Sequence, residues 1–64
     1  MNIYSHKFIK IAQVAEMTSL SKPSIYRLQK EGKFPKSVKI AGSTTRWVHN
    51  EIVEYLNTRL AARN

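Results

Sequence analysis

The feature that most constrains this chain is its short length combined with the absence of cysteine. The chain has 64 residues and no Cys, so it must fold without disulfides or thiolate metal sites. A domain of this size buries only about 60% of the surface that its unfolded chain exposes. The sequence therefore predicts one small domain with a thin core, and it leaves no room for two domains that face a catalytic cleft.

The charge balance indicates the kind of partner. Eleven Lys and Arg residues stand against four Glu and no Asp, which gives a net charge of +7 and a pI near 10.2. Such a balance favours polyanions or acidic membrane surfaces. No apolar run approaches the roughly 20 residues that cross a bilayer, and the first ten residues contain no signal-peptide-like segment. We therefore expect a soluble cytoplasmic protein with no membrane partner, no small-molecule ligand and no cofactor.

Apolar spacing and helix-end residues predict a pair of short helices joined by a tight turn. Ile11–Thr18 carries apolar residues on one helical face. Ser21 is a good N-cap, and Pro23 in the first turn is compatible with a helix start. The second helix is expected over 22–31, ending before Gly32.

A hairpin and a third helix are expected to follow. The runs 37–40 and 45–48 are rich in β-branched and aromatic residues, with a tip at 41–44 between them. Asn50 is expected to cap a third helix over about 51–62.

This order predicts a mainly α fold with a β-hairpin, that is, a winged helix-turn-helix. The domain is expected to span 8–64, after a flexible arm at 1–7. The core is expected to contain the following apolar residues: Phe8, Ile11, Val14, Leu20, Ile25, Leu28, Phe34, Val38, Ile40, Trp47, Ile52, Val53, Leu56 and Leu60.

The second helix is the strongest candidate for contact with DNA, because a helix of this length fits the major groove. Its candidate contacts are basic, hydroxyl or aromatic residues and the proline of the first turn: Lys22, Pro23, Ser24, Tyr26, Arg27 and Lys30. The alternative is a solvated basic face, in which Arg27 pairs with Glu31 one turn further on.

The hairpin is expected to serve as a wing against the DNA backbone or minor groove. Its candidate contacts are cations and hydroxyls: Lys39, Ser43, Thr44, Thr45 and Arg46. The alternative is an ordinary surface hairpin. Trp47 is interpreted as the largest core side chain rather than a stacking platform for single strands, and the polar face of the third helix is either solvated or a docking surface.

Nothing in the sequence supports catalysis or metal binding. A Ser/His/Asp triad is excluded because there is no Asp. His6 and His49 are far apart in sequence. Gly32-Lys33 lacks the glycine and the hydroxyl residue that complete a phosphate-binding loop. The chain is therefore predicted not to be an enzyme.

Several segments, taken as a set, resemble the AlpA family of phage and prophage regulators. They are the run from Ile11 to Glu16, the Ser-x-x-x-Ile-Tyr-Arg-Leu block that begins at Ser21, Gly32-Lys33-Phe34-Pro35, Arg46-Trp47 and Glu51-Ile52. The resemblance spans residues 8–60. It implies a winged helix of the excisionase and MerR type that binds duplex DNA near phage attachment sites or promoters.

The family resemblance also assigns roles to individual positions. It implies a recognition role for Ser24, Tyr26 and Arg27, and a wing role for Arg46. The chain departs from the family pattern at Ser19, where Gly is frequent, so Ser19 is expected at positive φ. The tip Ser43-Thr44-Thr45 replaces a frequently Arg-rich wing tip, and Tyr55 replaces a frequent Trp.

Together these observations predict a sequence-specific, nucleoid-associated transcriptional regulator of prophage type. Helix 22–31 would enter the major groove, and the wing at 38–48 would lie on the backbone or in the minor groove. The alternatives are an excisionase that bends an attachment site, a protein-binding inhibitor or adaptor, and an RNA-binding protein. One such module buries only about 600–1,000 Å² of protein surface on DNA, so self-association on DNA or contact with an integrase is expected.

Overall fold

The computed structural model describes residues 7–63. Its elements are, in chain order, β1 (Phe8–Ile9), α1 (Ile11–Thr18), α2 (Lys22–Lys30), β2 (Val38–Ala41), β3 (Thr44–Val48) and α3 (His49–Ala62). The predicted winged helix-turn-helix architecture is confirmed. The expected arm falls outside the described residues, except for Lys7. No helix in the described range is long and apolar enough to cross a membrane.

The turn between α1 and α2 is built from hydrogen bonds of its own residues. Ser19 has φ 60° and ψ 21°, the left-handed conformation expected for it, and its N–H donates to the Ala15 oxygen at 2.8 Å. Thr18 Oγ1 donates to the Val14 oxygen at 2.8 Å and accepts from the Leu20 N–H at 3.3 Å. The chain therefore reverses within a few residues, and Leu20 packs against the core.

Both ends of α2 are capped. The Ser21 hydroxyl accepts from the Ser24 N–H at 3.3 Å, as its N-cap role predicts. At the other end Gly32 has φ 75°, and its N–H donates to the Gln29 oxygen at 3.1 Å. The Lys33 N–H donates to the Leu28 oxygen at 2.8 Å. These two bonds form a Schellman motif, which fixes where the helix stops.

The sheet has three antiparallel strands in the order β1-β3-β2. Two of these strands, β2 and β3, form the predicted hairpin. The added strand, β1, pairs Phe8 with Val48 and Ile9 with Trp47. The central strand β3 therefore lies between two short edge strands.

A two-residue turn, Gly42-Ser43, joins β2 to β3, and Gly42 takes the positive φ of 55° that this turn needs. Ala41 pairs with Thr44, and Lys39 pairs with Thr45. This register leaves Ile40 as an extra residue on β2, which is a β-bulge.

The core is smaller than the apolar content suggests. The buried apolar residues are Ile9, Val14, Ile25, Phe34, Trp47 and Ile52, and the side chains packed against them include Ile11, Leu20, Leu28, Tyr55 and Leu56. Trp47 is fully buried, which confirms its interpretation as the largest core side chain. A stacking role for Trp47 on single strands is wrong, because the ring has no accessible face.

Four of the predicted core residues are exposed instead: Phe8, Val38, Ile40 and Leu60. Phe8 points away from the core because its strand neighbour Ile9 points into it. Val38 and Ile40 lie on β2, an edge strand whose four residues are all exposed, and the bulge displaces Ile40 further. Leu60 lies in the last turns of α3, where every residue from 57 to 63 is exposed.

The predicted start of α3 is wrong by two residues. The helix begins at His49, directly after β3, and no side chain caps it. Asn50 is its second residue rather than its cap. The His49 N–H instead donates to the Lys7 oxygen at 2.8 Å. The chain segment before β1 therefore accepts from the first N–H of α3.

Candidate nucleic-acid interface

The exposed face of α2 gathers four of the predicted contact residues. Residues at i, i+3, i+4 and i+7 share one side of a helix, and this spacing is met by Pro23, Tyr26, Arg27 and Lys30. All four are exposed. Ile25 is fully buried on the opposite side of the helix. The fold therefore presents a continuous strip with two cations and one aromatic ring to solvent, which we call the α2 face.

Electrostatics favour an anionic partner for this face. The nine residues of α2 include three cations, Lys22, Arg27 and Lys30, and no acid. None of the three forms an ion pair or side-chain hydrogen bond with another residue of the 7–63 range. The predicted alternative pair, Arg27 with Glu31, is not formed; Glu31 lies 3.8 Å from Lys33 Nζ.

Two predicted contacts at the start of α2 are placed differently from the rest. Ser24 is half-buried, and its hydroxyl accepts from the Ser21 hydroxyl at 2.8 Å. Its side chain thus belongs to the helix cap. Lys22 is exposed at the first helical position, beside the α2 face rather than on it.

Tyr26 connects the α2 face to the core. Its ring lies 6.1 Å from the Trp47 ring, centroid to centroid, at an interplanar angle of 54°. Half of the side chain, 49%, stays exposed. Tilted aromatic pairs at such a separation are attractive, so the buried indole holds Tyr26 while its outer edge remains free for a ligand.

The wing residues are held by bonds among themselves. Lys39 Nζ donates to Thr45 Oγ1 at 3.1 Å, and Thr45 Oγ1 donates to the Ser43 oxygen at 3.3 Å. Arg46 Nη1 donates to the Thr45 oxygen at 2.8 Å. Thr44 is half-buried, whereas Ser43 is exposed at the turn.

The register places the two wing cations on opposite faces of the hairpin. Lys39 pairs with Thr45, and Val38 pairs with Arg46. Neighbouring strand residues point to opposite faces, so Lys39 shares a face with Thr45 and Trp47, whereas Arg46 lies on the other face. Only Lys39 thus lies on the face of the sheet that packs against Tyr26 of α2.

Sequence reasoning missed the contact that ties α2 to the wing. Gln29, which reads as a surface residue of a polar helix, is half-buried and donates from Nε2 to Ser37 Oγ at 2.9 Å. Ser37 directly precedes β2. The only sequence signal for this role is the position of Gln29 one turn after the buried Ile25, on the inner side of the helix.

No group of three His or Glu side chains within residues 7–63 could hold a metal ion. His49 lines a groove of about 370 Å³ together with Lys7 and Glu16. This set offers one imidazole and one carboxylate. His6, the other histidine, lies outside the described residues.

The fold and the α2 face define the class of this protein. It is a small winged helix-turn-helix whose second helix turns a basic strip to solvent.

The chain belongs to the AlpA family of prophage regulatory proteins: the family model described as prophage CP4-57 regulatory protein (AlpA) matches residues 7–60. A relative from Enterobacteria phage P4, uncharacterized protein ORF88, is 31% identical over 62 residues, which cover 97% of this chain and 70% of that protein. No solved structure matches the chain significantly. The resemblance found in the sequence is thus confirmed, and the family is a regulatory one.

Proposed function

We propose that this protein regulates prophage genes by binding duplex DNA in a sequence-specific manner, with α2 in the major groove. The observation that carries the proposal is the α2 face, where Tyr26, Arg27 and Lys30 are exposed together and the cations have no acidic partner within the described residues. Membership of a prophage regulatory family supports it. Such a role would place the protein at the nucleoid.

The proposal assigns different tasks to the parts of the interface. Arg27 would read a base edge, because its planar guanidinium can bind a guanine in bidentate fashion. Lys22 and Lys30 would contact phosphates. Lys39 and the exposed Ser43 turn would lie on the backbone beside the groove.

The proposed binding should depend strongly on salt. If Lys22, Lys30, Lys39 and Arg46 each neutralise one phosphate while Arg27 reads a base edge, the plot of log affinity against log salt should have a slope of about −3.6. A shallower slope, about −1.8 by the same relation, would mean that the two wing cations keep their bonds to Thr45 and release no counterions.

Selection from a random duplex library, followed by fluorescence-anisotropy titration of the selected site, tests the proposal. We expect a selected consensus, a salt-dependent affinity and much weaker binding to duplex RNA, whose deep, narrow major groove does not admit a helix. Arg59→Ala is a matched control for Arg27→Ala, since it removes the same charge from α3, away from the α2 face, and should lower the affinity for one site far less. Failure to bind any duplex would refute the proposal and favour the protein-binding adaptor.

A transcriptional role and an excisionase role make different demands on the DNA. An excisionase would bend its site, and ring-closure or gel-mobility measurements on permuted fragments detect a bend. We propose the transcriptional role, and a large bend centred on the selected site would favour the excisionase alternative. In both cases one module of this size needs neighbours on DNA, either further copies or an integrase, to reach useful affinity.

A further inference from the structure

A groove lies between α3 and the start of β2, away from the α2 face. Its volume is about 590 Å³. Its walls combine apolar surface from Val38 and Tyr55 with the carboxylates of Glu51 and Glu54. Lys36 is the cation that lines it. We call this surface the acidic groove.

The acidic groove is unusual in a chain of net charge +7. Glu51 and Glu54 are two of only four acidic residues, both are exposed, and neither forms an ion pair with another described residue. Lys36 balances one of these charges, so the groove has a net negative charge. A binding partner that suits it must therefore be basic and partly apolar.

The last turns of α3 have those properties. Every residue from 57 to 63 is exposed, so the helix end projects beyond the body of the domain. Leu60 is 56% exposed and lies one turn after Leu56, which still packs on the core. Arg59 and Arg63 flank Leu60, and residues 57–63 contain no acid. We call Arg59, Leu60 and Arg63 the basic knob.

We propose that the basic knob of one copy of this chain binds the acidic groove of a second copy. Leu60 would cover Val38 and Tyr55, and the guanidinium groups of the knob would pair with Glu51 and Glu54. This contact deepens the proposed function, because it supplies the neighbour that a small module needs on DNA.

The positions of the knob and groove on α3 decide the symmetry of the contact. Residues of an α-helix are turned by about 100° each, so Leu60 lies roughly 200° around the helix from Thr58, which lines the groove. Leu60 therefore faces away from the groove, whereas Arg59 lies at its rim, with its guanidinium 5.0 Å from the centroid of the Tyr55 ring. A two-fold dimer uses the same patch on both copies, whereas this contact joins different patches and leaves a free knob and a free groove at the ends. The assembly is head to tail and can extend along DNA.

Charge reversal tests this contact. Two variants, Glu54→Arg and Arg59→Glu, change the net charge in opposite directions, yet each places like charges across the contact. The double variant Glu54→Arg/Arg59→Glu restores opposite charges at the original net charge. Asn57→Ala is the matched control, an exposed α3 residue outside both surfaces. Thermal unfolding followed by circular dichroism checks that each variant folds.

The readout is binding to duplexes that carry one or two copies of the selected site, with the spacing varied in single base pairs over a helical turn. We expect the second site of the wild-type complex to bind roughly tenfold tighter than the first, a usual size for coupling between sites. Each single variant should lose this factor, and the double variant should regain most of it. Affinity for one site should follow net charge only, rising for Glu54→Arg and falling for Arg59→Glu.

Three results would overturn the head-to-tail contact: independent binding of the wild type at all spacings, opposite changes of the coupling factor in the two single variants, or no recovery in the double variant. Sedimentation at low salt without DNA provides a second test that does not depend on DNA binding. We expect the wild type to form species larger than a dimer as its concentration rises. Both single variants are expected to stay monomeric. A strict monomer or a closed dimer would refute the contact even if DNA binding itself failed.

Discussion

The helix-turn-helix and the wing are built in opposite ways. In the helix-turn-helix the capping bonds hold the backbone, at Ser19, Ser21 and Gly32, and the outward cations form no ion pair or side-chain hydrogen bond with another described residue. In the wing the cations themselves form the stabilising hydrogen bonds, since Lys39 and Arg46 both donate to Thr45. A rigid backbone with unbonded side chains suits base readout by α2. The wing cations are already hydrogen-bonded, so the wing would contact DNA through the fit of its surface more than through its charge.

Trp47→Ala should produce the largest effect, because Trp47 is the core residue that both regions share. The ring packs against Tyr26 of α2 while its backbone lies in the central strand. Large-to-small substitution of a buried aromatic costs about 3–5 kcal/mol, which nearly unfolds a domain this small. Urea denaturation followed by circular dichroism measures it. Phe8→Ala, an exposed aromatic on the adjacent strand, is the matched control and should cost much less; equal losses would show that burial is not the cause.

Arg27→Ala and Arg46→Ala sharpen the comparison between helix and wing. Arg27→Ala should weaken binding to the selected site by about 1–3 kcal/mol and leave the fold intact. Arg27→Lys should recover only part of this, since Lys cannot form the bidentate contact. Arg46→Ala should cost less, because Arg46 is bonded to Thr45 and lies on the far face of the hairpin. An equal or larger loss for Arg46 would reverse the assignment of base readout to α2.

Gly32→Ala tests the cap that ends α2. A Cβ at Gly32 would meet nothing within 4 Å, so the cost is conformational rather than steric. At φ 75° we expect a loss of about 1 kcal/mol in the free energy of unfolding. Gly32→Asn should cost less, because Asn tolerates the left-handed region better. Chemical denaturation of the wild type, Gly32→Ala and Gly32→Asn measures these differences in the free energy of unfolding. Unchanged stability in Gly32→Ala would mean that α2 can end elsewhere without cost.

Ser19→Gly should have the smallest effect, with the opposite sign. Ser19 has φ 60°, so a glycine relieves backbone strain while it loosens the unfolded chain. Together the relief of strain and the more flexible unfolded chain should leave the free energy of unfolding unchanged or raise it by at most about 1 kcal/mol. Ser19→Ala keeps the strain and serves as the control in the same thermal melts. A clear drop in melting temperature for Ser19→Gly would show that the Ser19 side chain stabilises the turn.

Local signals in the sequence were sufficient for the helix-turn-helix. Ser21, Pro23 and Gly32 act through bonds to residues within a few positions, so their roles could be predicted without the fold. The bounds of α1 and the burial of Trp47 were predicted for the same reason, since apolar spacing and side-chain size are local. The family resemblance predicted the left-handed Ser19.

Wrong predictions occurred where distant residues decide. Asn50 is a good cap in isolation, but α3 already begins at His49, whose N–H donates to the distant Lys7 oxygen. Ile40 has the apolar side chain of a core residue, but strand pairing places it in the bulge of an exposed edge strand. Gln29 has the sequence context of a surface residue, but the fold brings Ser37 within hydrogen-bond distance of its side chain. In each case the competing partner is remote in sequence or depends on strand register, which composition and spacing do not encode.

The sequence by itself determined the small single core, the positive charge and the basic second helix, because these follow from residue counts and from contacts within one or two helical turns. Tertiary structure decided which cations share a surface: pairing of β2 with β3 separated Lys39 from Arg46, and packing of Ile25 against the core turned Arg27 and Lys30 outward together. It also decided that α3 projects past the core and leaves Leu60 exposed. The packing of each element against its neighbours decides which of its side chains are buried. In a thin core, a shift of strand register by one residue or one extra turn of helix is enough to expose a side chain that would otherwise be buried.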